Sequence, residues 1–355
     1  MSVLRGKSIL LGLSGGIAVY KSASLLRRLV RDYQCNVRVI MTRSAQQFMS
    51  PLIFETFSGT EVITDMFHAE RETVGTRHID LVRSADLFAV IPATANSLGK
   101  VCSGIADDAL STMLMAADPE RTLPAPAMNK HMYHHPAVQE NLRRLREMRY
   151  RIVEPDTGEL ATAVEGRGVG RLPDEHTLLH HLEKALYAQQ ESPLAGKRVL
   201  ITGGPTREAV DALRFISNPS SGKMGTALAE CAAAMGAEVI YVSGPVSLPD
   251  PVGCRTVHVG SAAEMKEAVL SVYEAQDIVI MAAAVEDIRP RKAQKGKIKK
   301  AGSGPAGAGK VRRYSENSWG KEKRAGSMPA SVRNMRTRSN VQGQSSEKSI
   351  STGSS

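Results

Sequence analysis

The sequence predicts a parallel α/β protein made of two successive blocks, followed by a tail that does not fold. Three observations carry this. Residues 8–13 (SILLGL) are a short apolar run, closed by Ser14-Gly15-Gly16 and followed by Ile17, Tyr20, Leu25, Leu26 and Leu29 at helical spacing. Residues 198–202 (RVLIT) repeat the arrangement ahead of Gly203-Gly204-Pro205. Strand, glycine turn and helix, alternating with further apolar runs, is the pattern of a sheet with crossover helices. The third observation is compositional: residues 301–355 hold 12 Ser and 8 Gly, but three Val, one Ile and no Leu or Phe. Such a segment cannot bury enough apolar surface to offset its ordering entropy and is expected to be disordered.

In the first block the later strands are expected at 37–41, 87–91, about 122–125 and 151–153. In the second they are expected at 238–242 and 277–281. A helix ends near Ala188, and the polar hinge Gln189-Gln190-Glu191-Ser192-Pro193 follows it. The expected domains are therefore 1–190, 191–300 and the tail 301–355. With about three strands before the tail begins, the second sheet is expected to be incomplete.

At 355 residues, two domains of roughly 150 residues each are the ordinary expectation. No apolar run approaches the ~18 residues of a membrane span. The start MSVLRGKSILLGLSGG has no cleavable signal pattern. Four cysteines with no CxxC argue against a zinc ribbon or a disulfide framework and fit a reducing cytoplasm. The net charge of +10 would suggest nucleic acid, but the tail alone carries 10 Lys and Arg against 3 Glu. The blocks are close to neutral, so nucleic acid is not the expected partner.

Gly12, Gly15 and Gly16 bracket the end of the first strand and open a helix, where backbone N–H groups and the helix dipole favour an anion. The spacing is not GxGxxG, and no acidic residue closes a following strand in the dinucleotide manner. A mononucleotide fits better, although strand-to-helix turns use glycine in any case. The loop Ile91-Pro92-Ala93-Thr94-Ala95-Asn96-Ser97 puts hydrogen-bonding groups at the carboxyl edge of another strand, where open sheets bind ligands; helix capping would use the same residues. His131, His134 and His135 lack a carboxylate or cysteine partner pattern, so no metal ligand is assigned. Ser220-Ser221-Gly222-Lys223 places small residues and a lysine at the start of a helix, without the GxxxxGK[ST] frame. Seven of the twelve residues from 289 to 300 are basic, which reads as a solvated face or linker, then as a polyphosphate contact, and third as a nucleic-acid contact.

At these residues the chain resembles the bifunctional phosphopantothenoylcysteine decarboxylase / phosphopantothenate–cysteine ligase family of coenzyme A biosynthesis. The carrying segments are GLSGGIAVYKS (12–22), VIMTRSAQQFMSPL (39–52), TRHIDL (76–81), PATANSLGKVCSGIADDALST (92–112) and PAMNKHMYHHPAVQENL (126–142). On the ligase side they are VLITGGPTREAVDALRFISNPSSGKMG (199–225), VSGPVSL (242–248), MAAAVEDIRP (281–290) and KIKK (297–300).

The resemblance implies a cytoplasmic homo-oligomer: a Rossmann-like flavoprotein domain with FMN at a subunit interface, then a second Rossmann-like domain using CTP and Mg²⁺. Gly12, Ser14, Gly15, Thr42, Thr94, Ala95 and Asn96 become candidate flavin contacts. His78 matches the catalytic histidine, and Asn129, after Met128 in the PxMN motif, matches the residue that holds the substrate carboxylate. Oxidation of the cysteine thiol to a thioaldehyde lets the neighbouring carbon release CO₂, and a final reduction gives 4′-phosphopantetheine. Thr162 stands where the family carries a flap cysteine that donates a proton in that reduction. A hydroxyl is a far weaker acid than a thiol, which weakens the expectation of the reduction but not of flavin binding. On the ligase side, where an acyl-cytidylate of 4′-phosphopantothenate is attacked by cysteine, Asn218 matches a residue linked to turnover of that intermediate. Ser221, Gly222, Lys223, Lys297, Lys299 and Lys300 are candidate nucleotide or substrate contacts. Glu286 and Ile288 depart from the family's AAAVADYRP. After Lys300 the resemblance stops, and the composition reads like translation in another frame, so the ligase half is expected to be impaired. Two competing readings are a flavin prenyltransferase, which lacks the His78/PAMN pair and the ligase block, and a non-catalytic flavin-binding subunit or inactive remnant.

Overall fold

The computed structural model describes residues 2–66, 77–159, 166–290 and Lys297. In chain order the first block contains β1 (Ser8–Leu13), α1 (Val19–Arg31), β2 (Asn36–Met41), α2 (Pro51–Ser58), α3 (Arg77–Ser84) and β3 (Leu87–Ala93). It continues with α4 (Ala95–Cys102), α5 (Ala109–Ala116), β4 (Thr122–Pro126), α6 (Lys130–Tyr133) and α7 (Pro136–Glu147). A hairpin of β5 (Asp156–Glu159) and β6 (Arg167–Arg171) then leads into α8 (Glu175–Tyr187).

The strands form a parallel sheet in the order β2-β1-β3-β4. Successive residues of one strand enter opposite cores. Leu11, Leu13, Leu87, Ala89 and Ile91 pack with Leu25, Leu26 and Leu29 of α1 and Leu178, Leu179 and Leu182 of α8. Leu10, Phe88 and Val90 pack with Leu98 of α4, Leu110 and Met113 of α5, and Leu142 and Leu145 of α7. Burial on both faces is why these strands read as unbroken apolar runs.

The strand expected at 151–153 is extended chain beside β4 and not a full strand. Arg151 N–H donates to Thr122 O at 3.0 Å and Val153 N–H to Pro124 O at 3.0 Å. The return bonds of a parallel ladder would come from residues 124 and 126, which are prolines without N–H groups.

The second block contains β7 (Arg198–Gly203), β8 (Arg207–Ala209), β9 (Phe215–Ser217), α9 (Lys223–Ala234), β10 (Glu238–Ser243), β11 (Cys254–His258), α10 (Ala262–Val272) and β12 (Ile278–Met281). Its parallel sheet runs β11-β10-β7-β12. The expectation of about three strands is thus corrected to four. β11 went unread because its residues are half-exposed on an edge, without an apolar run. α9 packs Ala229, Ala232 and Ala233 onto Val199, Ile201 and Tyr241, while α10 packs Met265 and Val269 onto Leu200 and Val242.

By compactness the described residues up to Arg207 form one unit with Asn218–Val285, and Glu208–Ser217 form another with 286–290. In the second unit Asp211 accepts two bonds from the Arg214 guanidinium, at 2.5 and 2.9 Å. The expectations for the tail 301–355 lie outside the described residues. Among the described residues no helix is long and apolar enough to cross a membrane.

Candidate functional site

In the first sheet β1 lies between β2 and β3, so the chain turns opposite ways from neighbouring strand ends. This switch point is where open α/β sheets bind ligands. The loops leaving β1 and β3 are joined across it by Ser14, which is 1% exposed. Ser14 Oγ donates to Pro92 O at 2.8 Å and accepts the Thr94 N–H at 2.8 Å. One turn into α1, Ser22 Oγ donates to Ile91 O at 2.6 Å.

Around this pin the groups are small. A Cβ on Gly15 would lie 2.3 Å from Ser44 Cβ, so the first loop rests directly on the turn after β2. Thr42 closes that turn: its N–H donates to Leu13 O at 3.0 Å and its Oγ1 accepts from Ala45 N at 3.2 Å. A Cβ on Gly16 would meet only Thr94 Cγ2, at 3.5 Å. Gly12 is different. It lies inside β1, where a Cβ would meet Leu110 Cδ1 at 2.5 Å, so core packing accounts for its glycine. The N-caps of α1 and α4, Ala18 and Thr94, make no side-chain capping bond. In α1 the Val19, Tyr20 and Lys21 N–H groups already donate to Gly16, Ile17 and Ala18 O, so the first N–H groups of α4, at the edge where Ser14, Thr94, Ala95 and the exposed Asn96 lie, are the ones left to a ligand.

The PAMN segment follows β4. Asn129 caps α6, its Oδ1 accepting from His131 N at 2.8 Å. The β5–β6 hairpin leans on this turn through glycines. Met128 N–H donates to Gly170 O at 2.9 Å, and a Cβ on Gly170 would lie 2.1 Å from Met128 O. A Cβ on Gly168 would meet Lys130 Cδ at 2.8 Å. These two glycines were not read as site residues; their only signal is the i, i+2 spacing that puts both on one strand face. Thr162 lies outside the described residues. His78 sits half-buried in the first turn of α3. Among the described residues no hydrogen bond links it to Asn129 or to the Ser14–Thr94 pair.

The acidic pair in GIADD is structural. Lys100 Nζ reaches Asp107 at 2.5 Å and Asp108 at 2.6 Å, and Asp108 forms a capping box with Ser111 at the start of α5. Burial pushes the Asp108 carboxyl up, but the bonds from Lys100 and Ser111 outweigh it and hold the group below the usual range.

The second sheet has its own switch point, between β7 and β12. Asn218 lies there, its Nδ2 donating to Val285 O at 3.1 Å and Ala284 O at 3.5 Å, while Ala284 N–H donates to Gly204 O at 2.8 Å. Gly222 caps α9 at φ 76°, with a Cβ position 3.5 Å from Gly204 Cα. Ser221 and Lys223 are exposed beside it. Asn218, Gly222 and the Gly203-Gly204 turn are therefore gathered at one edge. Lys297 is exposed; Lys299 and Lys300 lie outside the described residues. Among the described residues no group of three or more His, Cys, Asp or Glu side chains is placed to hold a metal ion.

Comparison with known proteins agrees with this layout. A family model described as Flavoprotein matches residues 2–186, and one described as DNA/pantothenate metabolism flavoprotein C-terminal domain matches 194–307. The coenzyme A biosynthesis bifunctional protein CoaBC of Bacillus subtilis is 49% identical over 85% of this chain and 73% of its own length. The chain belongs to the CoaBC family. The protein of the same description from Mycobacterium bovis is 41% identical over 84% of this chain and 71% of its own. A solved PPC decarboxylase mutant complexed with pantothenoylaminoethenethiol is 27% identical over 52% of this chain and 100% of its own, with a TM-score of 0.46. The family expected from the motifs is thus shown, and with it an enzyme of coenzyme A biosynthesis with a flavoprotein half and a ligase-type half.

Proposed function

We propose that residues 1–190 release CO₂ from 4′-phosphopantothenoylcysteine with FMN as cofactor, and that residues 191–300 form a CTP- and Mg²⁺-dependent phosphopantothenate–cysteine ligase half. The observation that carries the first reading is the Ser14 pin, which holds the glycine turn after β1 against the N-terminus of α4, itself without a side-chain cap, at one sheet edge. A mononucleotide phosphate suits the α4 N–H groups, and Gly16, whose Cβ position meets only Thr94 Cγ2 at 3.5 Å, leaves room for it beside Gly15, Thr94 and Ala95. Thr42 and Asn96 complete the polar rim. Bound there, FMN supplies the two-electron oxidation of the thiol that turns the neighbouring carboxylate into a leaving group.

The protein's own residues bind and orient. Asn129, fixed as the cap of α6 and backed by Gly170 on Met128, presents its amide to the substrate carboxylate. His78 manages the proton of the reacting thiol. Ile17 and Tyr20 beside the phosphate loop are 54% and 58% exposed, which supports a homo-oligomer with the flavin at its interface. A cytoplasmic location fits small-molecule substrates and the absence of disulfides among the described cysteines. The test is CO₂ release from 4′-phosphopantothenoylcysteine by the FMN-loaded full chain.

For the ligase half, Asn218, Ser221, Gly222 and Lys223 gather at the second switch point; Lys297, Lys299 and Lys300 are proposed as polyphosphate contacts on the sequence alone. We expect weak CTP binding with impaired turnover. Glu286, one of the departures from the family motif, is buried and its Oε1 accepts from Ile288 N at 3.1 Å. Pyrophosphate release from CTP, with 4′-phosphopantothenate and cysteine present, measures it; robust release would refute the impairment.

A further inference from the structure

Lys21 belongs to no part of the machinery above, yet it joins two of its pieces. It lies in the first turn of α1, seven residues after Ser14. Its Nζ donates to Leu172 O at 2.7 Å, and Leu172, 1% exposed, is the residue directly after β6. Along β6 every second residue docks: Gly168 on Lys130, Gly170 on Met128, and Leu172 on Lys21. The hairpin stem carries matching charge. Asp156 stands opposite Arg171 in the register, and Arg171 lies across Gly158, whose Cβ position is 2.9 Å from its Nη1. Burial pushes the Lys21 ammonium below its ordinary range, with Arg171 adding to the effect and Asp156 and Asp174 opposing it. Burial likewise raises the Asp156 carboxyl, with Asp174 adding to the rise and Arg171 and Lys21 opposing it. A half-buried amine spent on a single backbone carbonyl, where a solvated lysine would serve for charge, points to a positional use.

We infer that Lys21 is a positioning residue that sets the Asn129 turn relative to the phosphate loop, through Leu172, β6 and the Gly170–Met128 hydrogen bond. The inference rests on the assignment of Asn129 to the substrate carboxylate. Among the described residues no hydrogen bond joins Lys21 to Asn129 or to the Ser14–Thr94 pair. It fixes the carbonyl at one end of β6, and two residues earlier β6 fixes Met128.

The experiment compares Lys21→Met and Lys21→Arg with the unaltered full chain, using hydrogen exchange and steady-state CO₂ release. Lys21→Met is expected to speed exchange in peptides covering 126–134 and 166–173 while FMN stays bound. It is also expected to raise KM for 4′-phosphopantothenoylcysteine about tenfold, the effect of one charge-assisted hydrogen bond, with a smaller change in kcat. Lys21→Arg, which can still donate to Leu172 O, restores most of both. Gly170→Ala, which breaks the same link at its other end, is expected to raise exchange in 126–134 likewise. Unchanged exchange at 126–134 in Lys21→Met overturns the inference, as does loss of FMN or an equal defect in Lys21→Arg. If the unaltered chain releases no CO₂, the proposed function falls, while the exchange arm still decides the structural link.

Discussion

Ser14 and Thr94 are eighty residues apart in sequence and share one half-buried hydrogen bond of 2.8 Å, from the Thr94 N–H to the Ser14 hydroxyl. That hydroxyl in turn donates to Pro92 O, so one side chain ties together the loops leaving both central strands. Ser14→Ala removes this bond and the buried one to Pro92 O together, at a cost of about 1–3 kcal/mol. FMN affinity is expected to fall by roughly tenfold or more on the same scale. Fluorescence titration of FMN into apoprotein, with a thermal melt alongside, checks both.

Neighbouring glycines in the same loop should behave differently. Gly15→Ala drives a methyl to within 2.3 Å of Ser44 Cβ, against a carbon that belongs to a fixed turn. That substitution is expected to cost about 1–3 kcal/mol through overpacking and to abolish tight FMN binding. Gly16→Ala meets only Thr94 Cγ2 at ordinary contact distance and should fold with near-native stability. Comparing the melts of the two apoproteins separates packing from cofactor effects.

His78→Asn and Asn129→Asp are each expected to lower CO₂ release by about 10²-fold or more with FMN still bound. The first loses proton management. The second sets a carboxylate against the substrate's own carboxylate, a like-charge contact that disfavours binding. Absorbance of bound flavin and turnover, measured on the same samples, decide it; full activity in either variant would remove that residue from the site.

The structure also predicts an acid-sensitive stability. His180 in α8 is buried, with no hydrogen-bond partner at Nε2 among the described residues, and Gly253 packs against its ring. Burial, aided by His181, Lys184 and His176, pushes it down to about 4 from 6.5. Between those values the unfolded chain binds the proton and the folded chain does not, so stability falls as pH drops through that window and levels off below it. Melting temperature should decline from pH 7 to pH 4.5, and His180→Leu should flatten part of the decline. An unchanged slope in that variant would assign the acid sensitivity to other groups.

The central strands were legible because a parallel sheet buries both faces, so β1, β3, β7 and β10 appear as apolar runs. Edge elements were not: β11 shows half-exposed residues, and the chain at 151–153 fails as a strand only because its partner positions are prolines. The loops of the site were legible as small polar residues after strands, yet their roles were not. Gly12 looks like a phosphate-loop glycine and is explained by Leu110. Ser14 looks like one polar group among several and is the pin between loops. Gly168 and Gly170 answer to Lys130 and Met128, some forty residues earlier in the chain, and spacing along one segment carries no record of such an approach.

The most direct test is to extract the cofactor from the purified full chain and then follow its reaction with 4′-phosphopantothenoylcysteine by mass spectrometry. The account predicts FMN, release of CO₂, and the enethiol accumulating ahead of 4′-phosphopantetheine, as expected if Thr162 replaces the proton-donating cysteine that the resemblance implies. A protein that carries FMN yet leaves the substrate intact, or one that yields FAD, would contradict it.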